Sequence, residues 1–376
     1  MNHARRDSAA PLAGSARHPG SARRPDNARR PGPARRAAFV LVPLVVATTL
    51  AVLSVALGAR SVDLGVVLSA LGAFVNGNAD AAIGSSMDQA AVIDRIPRVL
   101  TALLVGSALA VSGLAMQGAT RNPLGDPGLL GLGAGASLAM AIGLGLGLTG
   151  NIAVLMMLAI LGTLAAAILV YAAASAAGRL TGSARSAPGP LSLVLAGAAV
   201  SAGALAVTNA LIIAVPTVQD RFRFWSIGTV ARSTVTDAAS LSWVIILGVV
   251  LVFLCAPGLD ALALGDEMAH GLGIRPEHLR IVLLGATVLM TAAATALAGP
   301  VMFVGLLVPH VLRRLRPPST RLFVAATALW GGALVLAADL VGRLIVAPSE
   351  IHIGVTTVVL GVPVMLLLLR RRSMSL

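Results

Sequence analysis

The chain has 376 residues, of which 57% are hydrophobic and only 11% are charged. A soluble globular protein carries about 25% charged residues, so this composition excludes a soluble enzyme or binding domain. All 28 basic residues are arginines, and the lack of lysine excludes a P-loop ATPase, because that loop needs a lysine to reach the phosphates. The single cysteine, Cys255, excludes a disulfide framework and a cysteine-ligated metal site.

The N-terminal segment, residues 1–36, is rich in arginine, proline, glycine, serine and alanine. Because such a segment cannot bury a hydrophobic core, we predict a disordered, arginine-rich cytoplasmic tail here. An inert segment that only follows the positive-inside rule is the favoured interpretation, and contact with anionic membrane lipid is the alternative. This tail supplies about half of the net charge of +13. The positive charge therefore does not indicate a nucleic-acid partner.

Apolar runs recur along the rest of the chain, and runs of about 18 or more residues are typical of membrane-spanning helices. We predict an all-α polytopic membrane protein with about ten transmembrane helices in one membrane domain, residues 37–372. The predicted crossings lie near residues 38–58, 98–118, 128–148, 151–173, 190–214, 239–256, 279–298, 301–315, 321–340 and 352–370. Runs 128–148 and 301–315 are short or broken by glycine. Membrane proteins tolerate such segments where other protein or a water-filled cavity covers them, so the two runs indicate a pathway.

The arginines predict the orientation of these crossings. If the N-terminus is cytoplasmic, 21 of the 28 arginines fall on cytoplasmic segments, as the positive-inside rule requires. Both termini are then cytoplasmic. Gly131 and Gly135, one helical turn apart, predict a close contact between helix backbones.

Polar clusters stand at the ends of several predicted crossings. The segment Asp94–Arg98 places Arg95 and Arg98 on the side where arginine is rare, which indicates docking of an acidic partner. A local pair of Asp94 with Arg98, or contact of the arginines with lipid headgroups, explains them equally well. Asp339 and Arg343, four residues apart, predict an ion pair on one helix face.

Other clusters lie in the connecting segments. Residues 117–128 form a polar, proline-containing break that predicts a tight turn. Residues 258–278 form the main charged cytoplasmic loop, in which a short helix ending at Gly271 and a docking surface for a cytoplasmic partner are both expected. We find no nucleophile–base pair, paired carboxylates or metal-ligand set, so catalysis by this chain is not expected.

Taken together and in this order, the clusters resemble those of the FecCD/BtuC-like permeases, the transmembrane subunits of iron–siderophore and vitamin B12 ABC importers. The resemblance covers residues 40–372. It rests on Arg95-Ile96-Pro97-Arg98, on the Gln117–Gly128 break, on the Leu264–Gly273 loop, on Gly299–His310 and on Asp339 with Arg343. The sequence departs from the family pattern at His352, where a proline is usual, and at residues 316–321.

The resemblance implies the type II ABC importer fold and assigns roles to these clusters. The docking positions for an extracytoplasmic substrate-binding protein are Arg95, Arg98 and Arg343. The positions that couple to the ATPase are Leu264, Gly265, Asp266, Glu267, Ala269, Leu272 and Gly273. We further expect a weakly binding pathway near Gln117, Asn122, Pro123, Asn209, Thr295, Pro309 and His310.

The predicted function is the permease subunit of an importer of ferric siderophores in the cytoplasmic membrane of a bacterium, with cobalamin or haem as alternative substrates. The expected partners are a second permease subunit, the same or paralogous, two ATP-binding subunits and the binding protein. We expect no cofactor or metal in this chain, because ATP and Mg²⁺ belong to the ATPase. An ion-driven secondary transporter is the competing class, and it requires ionisable residues near the bilayer midplane.

Overall fold

The computed structural model describes residues 32–58, 61–123, 125–148, 152–180, 190–347 and 349–373. All regular secondary structure in these ranges is helical. The α-helices are α1 (Pro33–Ala56), α2 (Leu64–Val75), α3 (Ala79–Ser85), α4 (Met87–Thr120), α5 (Leu132–Gly145), α6 (Ile152–Leu180), α7 (Pro190–Ala214), α8 (Pro216–Ser226), α9 (Val235–Leu254), α10 (Ala256–Leu264), α11 (Asp266–Gly271), α12 (Pro276–Ala298), α13 (Val304–Arg314), α14 (Thr320–Ile345) and α15 (Ile353–Ser373). A short 3₁₀ helix, Pro127–Leu130, precedes α5.

A helix occupies each of the ten predicted crossings. Within the described residues, seven helices are long and apolar enough to span a membrane, namely α1, α4, α6, α7, α9, α12 and α14. The apolar helices α5 and α15 are shorter. Helix α13 has 11 residues, a length of about 16 Å, so it covers about half of a hydrocarbon core that is about 30 Å thick.

Helix α4 lies at the centre of the bundle, with contacts to α1, α9, α12, α13 and α14. Two glycine pairs allow these contacts. Gly106 faces Gly331 of α14, and Gly113 faces Gly305 of α13, so closely that a Cβ on either partner would overlap the opposite backbone. Small residues permit this approach of helix backbones in membranes. The predicted packing role of Gly135 is confirmed, since it faces Gly162 of α6.

Five short helices were not predicted as crossings: α2, α3, α8, α10 and α11. Several of them begin with recognisable signals. The Asp63 carboxylate accepts a hydrogen bond of 2.8 Å from the N–H of Gly65 at the start of α2, and Pro216 stands at the start of α8. The short helix expected in the 258–278 loop is α11, and it ends at Gly271 as predicted.

Helix α1 begins at Pro33, so residues 33–36 are helical and do not belong to the predicted tail. Arg35 donates hydrogen bonds of 3.1 and 2.9 Å to the carbonyls of Leu315 and Arg316, which joins the start of α1 to the end of α13. The rest of the predicted tail, residues 1–31, lies outside the described residues.

The polar contacts between helices gather at opposite ends of the bundle. One end, here called the Arg98 end, contains the end of α1, the first turns of α4, the end of α14 and residues 349–353. The other, here called the Asp266 end, contains the end of α4, α11 and the start of α12.

Candidate functional site

Arg98 is the centre of the ionic cluster at the Arg98 end. Its Nε and Nη2 donate hydrogen bonds of 2.9 and 2.7 Å to Oδ1 of Asp339 on α14. Its Nη1 donates a hydrogen bond of 2.9 Å to Oε2 of Glu350. The two carboxylates differ in exposure, since the Asp339 side chain is 1% exposed and that of Glu350 is 43% exposed. Arg98 therefore has one buried acceptor, Asp339, and one accessible acceptor, Glu350. The local ion pair between Arg98 and Asp94, one of the alternatives from the sequence, does not form.

Arg343 belongs to the buried side of the same cluster. Its Nε lies 3.1 Å from Oδ2 of Asp339, which confirms the predicted pair along α14, and its side chain is 4% exposed. Its Nη1 donates a hydrogen bond of 3.1 Å to the carbonyl of Ser54, and its Nη2 also contacts the Ser54 hydroxyl. The structure places Arg343 inside the bundle, where it holds α14 against α1, and its expected docking role stays a prediction.

Arg95 is half-buried and also joins two helices. Its Nη1 donates a hydrogen bond of 2.7 Å to the carbonyl of Val55 near the end of α1. Of the three arginines expected to dock a partner, Arg95 and Arg98 thus lie at the rim of the cluster and Arg343 lies beneath it.

Two cavities open at the Arg98 end. The smaller, of about 80 Å³, is lined by Arg98, Asp339, Glu350, His352 and Arg232, together with Thr229, Ala231, Ile351 and Ile353. The larger, of about 570 Å³, lies beneath α8 and has a mainly apolar lining that includes Met140, Leu144, Met156, Trp225 and Leu297. Arg232 and Thr229 line both cavities, so Arg232 stands between them.

Sequence reasoning did not select Arg232 as a site residue. It is exposed, and among the residues that the structure describes it makes no ion pair or hydrogen bond through its side chain. One sequence feature could have marked Arg232 as a site residue: it lies in a segment predicted to be on the side of the membrane where arginine is rare. The proximity of Arg232 to Arg98 could not be read from the sequence, since the two residues are far apart along the chain.

Asp266 is the centre of the second ionic cluster. Its Oδ1 accepts a hydrogen bond of 2.9 Å from Nη2 of Arg280 on α12, and its Oδ2 accepts one of 3.1 Å from Nη1 of the same residue. Asp266 also pairs with Arg121, the residue that caps the end of α4. Arg280 in turn donates a hydrogen bond of 3.1 Å to the carbonyl of Ala119. These contacts fasten α11 to both α4 and α12.

The exposed side of the 258–278 loop carries a row of large apolar residues. Leu264, Met268 and Leu272 are 65%, 61% and 64% exposed, at a spacing of four residues. Ala269 is fully buried on the opposite side. Gly265, between α10 and α11, has a φ of 112°, which favours glycine. Of the other predicted coupling positions, Glu267 and Gly273 are exposed. The row runs from the end of α10 over α11 to the residue that follows it. An exposed apolar row held firmly against the bundle suits contact with a protein partner.

The predicted pathway residues do not form one site within the chain. Gln117, Thr295, Pro309 and His310 are buried in the bundle. Gln117 donates a hydrogen bond of 3.0 Å to the carbonyl of Gly305 and accepts one of 2.6 Å from Arg313, so it joins α4 to α13.

The remaining pathway positions lie at the surface or in a turn. Asn209 is exposed on α7, and Pro123 is exposed after α4. Asn122 accepts a hydrogen bond of 2.9 Å from the N–H of Gly125, which confirms the predicted tight turn. Among the described residues, no group of histidine, cysteine and carboxylate side chains could hold a metal ion.

Comparison with known proteins identifies the family of this bundle. The profile of the FecCD transport family matches residues 44–371. The chain belongs to the FecCD transport family. It is a membrane permease subunit of the ABC importer class, and the family's subunits do not themselves catalyse a reaction.

Several curated relatives cover most of the chain. It is 36% identical to the ferric enterobactin transport system permease protein FepD of Escherichia coli strain K12, over 88% of this chain and 93% of the relative. It is 36% identical to the hemin transport system permease protein HmuU of Yersinia pestis, over 74% of this chain and 83% of that relative. It is 34% identical to the cobalamin import system permease protein BtuC of Halobacterium salinarum, over 74% of this chain and 73% of that relative.

A solved structure of a metal-chelate type ABC transporter in an inward-facing conformation has the same fold. The TM-score is 0.72 at 24% identity, over 89% of this chain and 99% of that chain. The expected importer permease fold is therefore confirmed.

Proposed function

We propose that the chain imports a ferric siderophore across the cytoplasmic membrane of a bacterium by alternating access. The observation that carries this substrate class is the match to FepD, a ferric enterobactin permease, over nearly the full length of both chains. Permeases for Fe(3+)-citrate and iron(3+)-hydroxamate are also among the relatives. Cobalamin and haem are the alternative substrates, since relatives with those names match at similar identity.

The proposed complex contains a second permease subunit, two ATP-binding subunits and an extracytoplasmic binding protein. Both termini lie in the cytoplasm, which places the Asp266 end inside the cell and the Arg98 end outside. The exposed row Leu264–Met268–Leu272 contacts an ATP-binding subunit, and ATP with Mg²⁺ is bound there. Support for this orientation comes from the sequence, because 21 of the 28 arginines fall on segments predicted to be cytoplasmic.

Helix α4 connects the two ends mechanically. Arg98 near one end and Arg121 at the other are 23 residues apart, a distance of about 34 Å along a helix. Closure of the ATP-binding subunits displaces α11, and the Asp266 contacts carry this displacement to α4 and α12. The bundle then rocks as a rigid body, which is a common form of transport motion.

The substrate crosses between the two permease subunits. Asn209 on α7 faces away from the bundle and can line such a pathway. Gln117, Thr295, Pro309 and His310 act from inside the bundle by setting the positions of α4, α12 and α13. A weakly polar lining suits transport, because a tight site would retain the substrate.

The test is reconstitution of the permease with its ATPase and binding protein in proteoliposomes. We expect ATP-dependent uptake of a ferric tris-catecholate or ferric hydroxamate, and ATPase activity that the loaded binding protein stimulates. Cobalamin or haem supplied in the same assay measures the alternative substrates. Uptake driven by an ion gradient without ATP would contradict the proposal and support the secondary-transporter class.

A further inference from the structure

Arg98 forms ion pairs with two carboxylates, and one of these pairs is easier to break than the other. Asp339 is buried and holds Nε and Nη2, so it fixes the orientation of the guanidinium plane. Glu350 is half-exposed and holds only Nη1. A buried charge-assisted pair persists, whereas an exposed pair contributes at most about 1 kcal/mol. Glu350 can therefore leave Arg98 while the guanidinium stays in place.

The space beside this exchangeable contact fits another carboxylate. The cavity of about 80 Å³ has Arg98 and Glu350 on its wall and is large enough for several water molecules, or for a carboxylate group. Arg232 lines the same cavity and has no carboxylate partner among the described side chains. With Arg95, Arg343 and the neighbouring Asp94 included, the four arginines of the cluster exceed its three carboxylates by one charge.

We propose that an acidic side chain of the extracytoplasmic protein partner enters this cavity, pairs with Arg232 and displaces Glu350 from Nη1 of Arg98. Glu350 occupies the position of the partner's carboxylate in the undocked permease. The permease therefore keeps Arg98 oriented and neutralised until the partner arrives, and docking exchanges one carboxylate for another. This inference rests on the proposed function for the existence of the partner, and it adds Arg232 and Glu350 to the docking surface.

Exchange predicts opposite effects for the two residues. In Glu350→Gln, the side chain at position 350 no longer competes with the partner's carboxylate for Arg98 and no longer repels it. This variant is therefore expected to bind the partner about fivefold more tightly, the factor that corresponds to about 1 kcal/mol. Arg232→Glu reverses a contact charge and is expected to weaken binding by about tenfold or more. Arg221→Glu is the matched control, since Arg221 is exposed on α8 and lines only the larger cavity.

The experiment measures the affinity of the nanodisc-embedded permease–ATPase complex for its binding protein at low and high salt. Tighter binding by Glu350→Gln, with weakening confined to Arg232→Glu, supports the exchange. Unchanged or weaker binding by Glu350→Gln would overturn it, as would equal weakening by Arg221→Glu and Arg232→Glu. The thermal unfolding temperature of each variant, expected to stay near that of the wild type, shows that the fold is intact.

A second probe separates this inference from the proposed function. A hexaglutamate peptide, titrated against the same three variants, reports on the cavity without transport or ATP hydrolysis. The same order of affinities is expected, with Glu350→Gln the tightest and Arg232→Glu the weakest. If the peptide shows this order but no binding protein stimulates the ATPase, the proposed function fails and the acidic-ligand site stands. If the peptide binds all variants equally, the exchange fails whatever the transport assay gives.

Discussion

The two ionic clusters use the same residue types in different surroundings. At the Arg98 end, Asp339 and Arg343 are almost fully buried and link α1, α4 and α14. At the Asp266 end, Asp266 and Arg121 are partly exposed. A buried pair is costly to break because a desolvated charge remains, whereas exposed pairs add little to stability. The first cluster therefore maintains the structure, whereas the second can rearrange at little cost in stability, as its proposed coupling role requires.

The largest effect is expected for Asp339→Asn. This change leaves Arg98 and Arg343 in the bundle without their shared buried carboxylate, at a cost of about 3–5 kcal/mol. Thermal unfolding of the purified permease complex in detergent measures the loss. Glu350→Gln, which removes the exposed carboxylate from the same arginine, is the matched control. Equal unfolding temperatures for the two variants would contradict the difference in burial.

The next effect concerns the contact that holds α4 in the bundle. A Cβ at Gly113 would lie 1.8 Å from the carbonyl oxygen of Gly305, so Gly113→Ala must separate α4 from α13. We expect a loss of about 1–3 kcal/mol, measured by thermal unfolding. Gly285→Ala on α12 has open space around it and should be neutral or stabilising, because alanine favours helix by about 1 kcal/mol. A harmless Gly113→Ala would show that α4 is not tightly held.

At the Asp266 end, a small effect on stability is expected. Asp266→Asn weakens two partly exposed ion pairs, so the free energy of unfolding should fall by about 1 kcal/mol or less. Glu277→Gln removes an exposed carboxylate at the start of α12 and serves as the control. A loss for Asp266→Asn as large as that for Asp339→Asn would remove the distinction between the clusters.

The smallest effect on the fold is expected from the exposed apolar row. Met268→Glu should leave the unfolding temperature unchanged, because the side chain contacts little of the bundle, and should reduce co-purification of the ATP-binding subunit by desolvating a charge at the contact. Met87→Glu, 77% exposed at the opposite end, is the control and should retain the ATPase. Normal co-purification of Met268→Glu would place the ATPase contact elsewhere.

The Asp126 carboxyl gives a pH-dependent prediction outside the spanning helices. Burial raises the pKa of Asp126, against the lowering effect of a hydrogen bond from the N–H of Gly128. A raised pKa in the folded state means that the ionised carboxyl disfavours folding above the ordinary aspartate pKa, and that this penalty is absent in acid. Asp126→Asn should therefore raise the unfolding temperature at pH 8 and change it little at pH 4. A larger gain at pH 4 would contradict this sign.

Several features that depend only on residues close together along the chain were predicted correctly from the sequence. Each long apolar run became a helix, the four-residue spacing of Asp339 and Arg343 gave a real ion pair, and Gly271 ended α11. Helix α8 was missed because it is short and mixes charged residues with Val218 and Phe222, although Pro216 and the four-residue spacing of those apolar side chains mark it.

The partners of Arg98 could not be predicted, because Asp339 lies 241 residues away along the chain. A single sequence contains no information on which distant helices pack together. The same limit explains why the burial of Arg343 against α1 and the position of Arg232 beside Arg98 were not predicted. Glycine pairs such as Gly106 with Gly331 are likewise visible only once the helices are packed.

We propose that Asp266 carries movement from the ATP-binding subunits to α4. The decisive measurement is the ATPase activity of the Asp266→Asn complex in proteoliposomes, compared with that of the wild type at equal occupancy by the binding protein. We expect normal affinity for the binding protein and intact basal hydrolysis, with stimulation by the loaded binding protein largely lost. Stimulation equal to that of the wild type would contradict the claim.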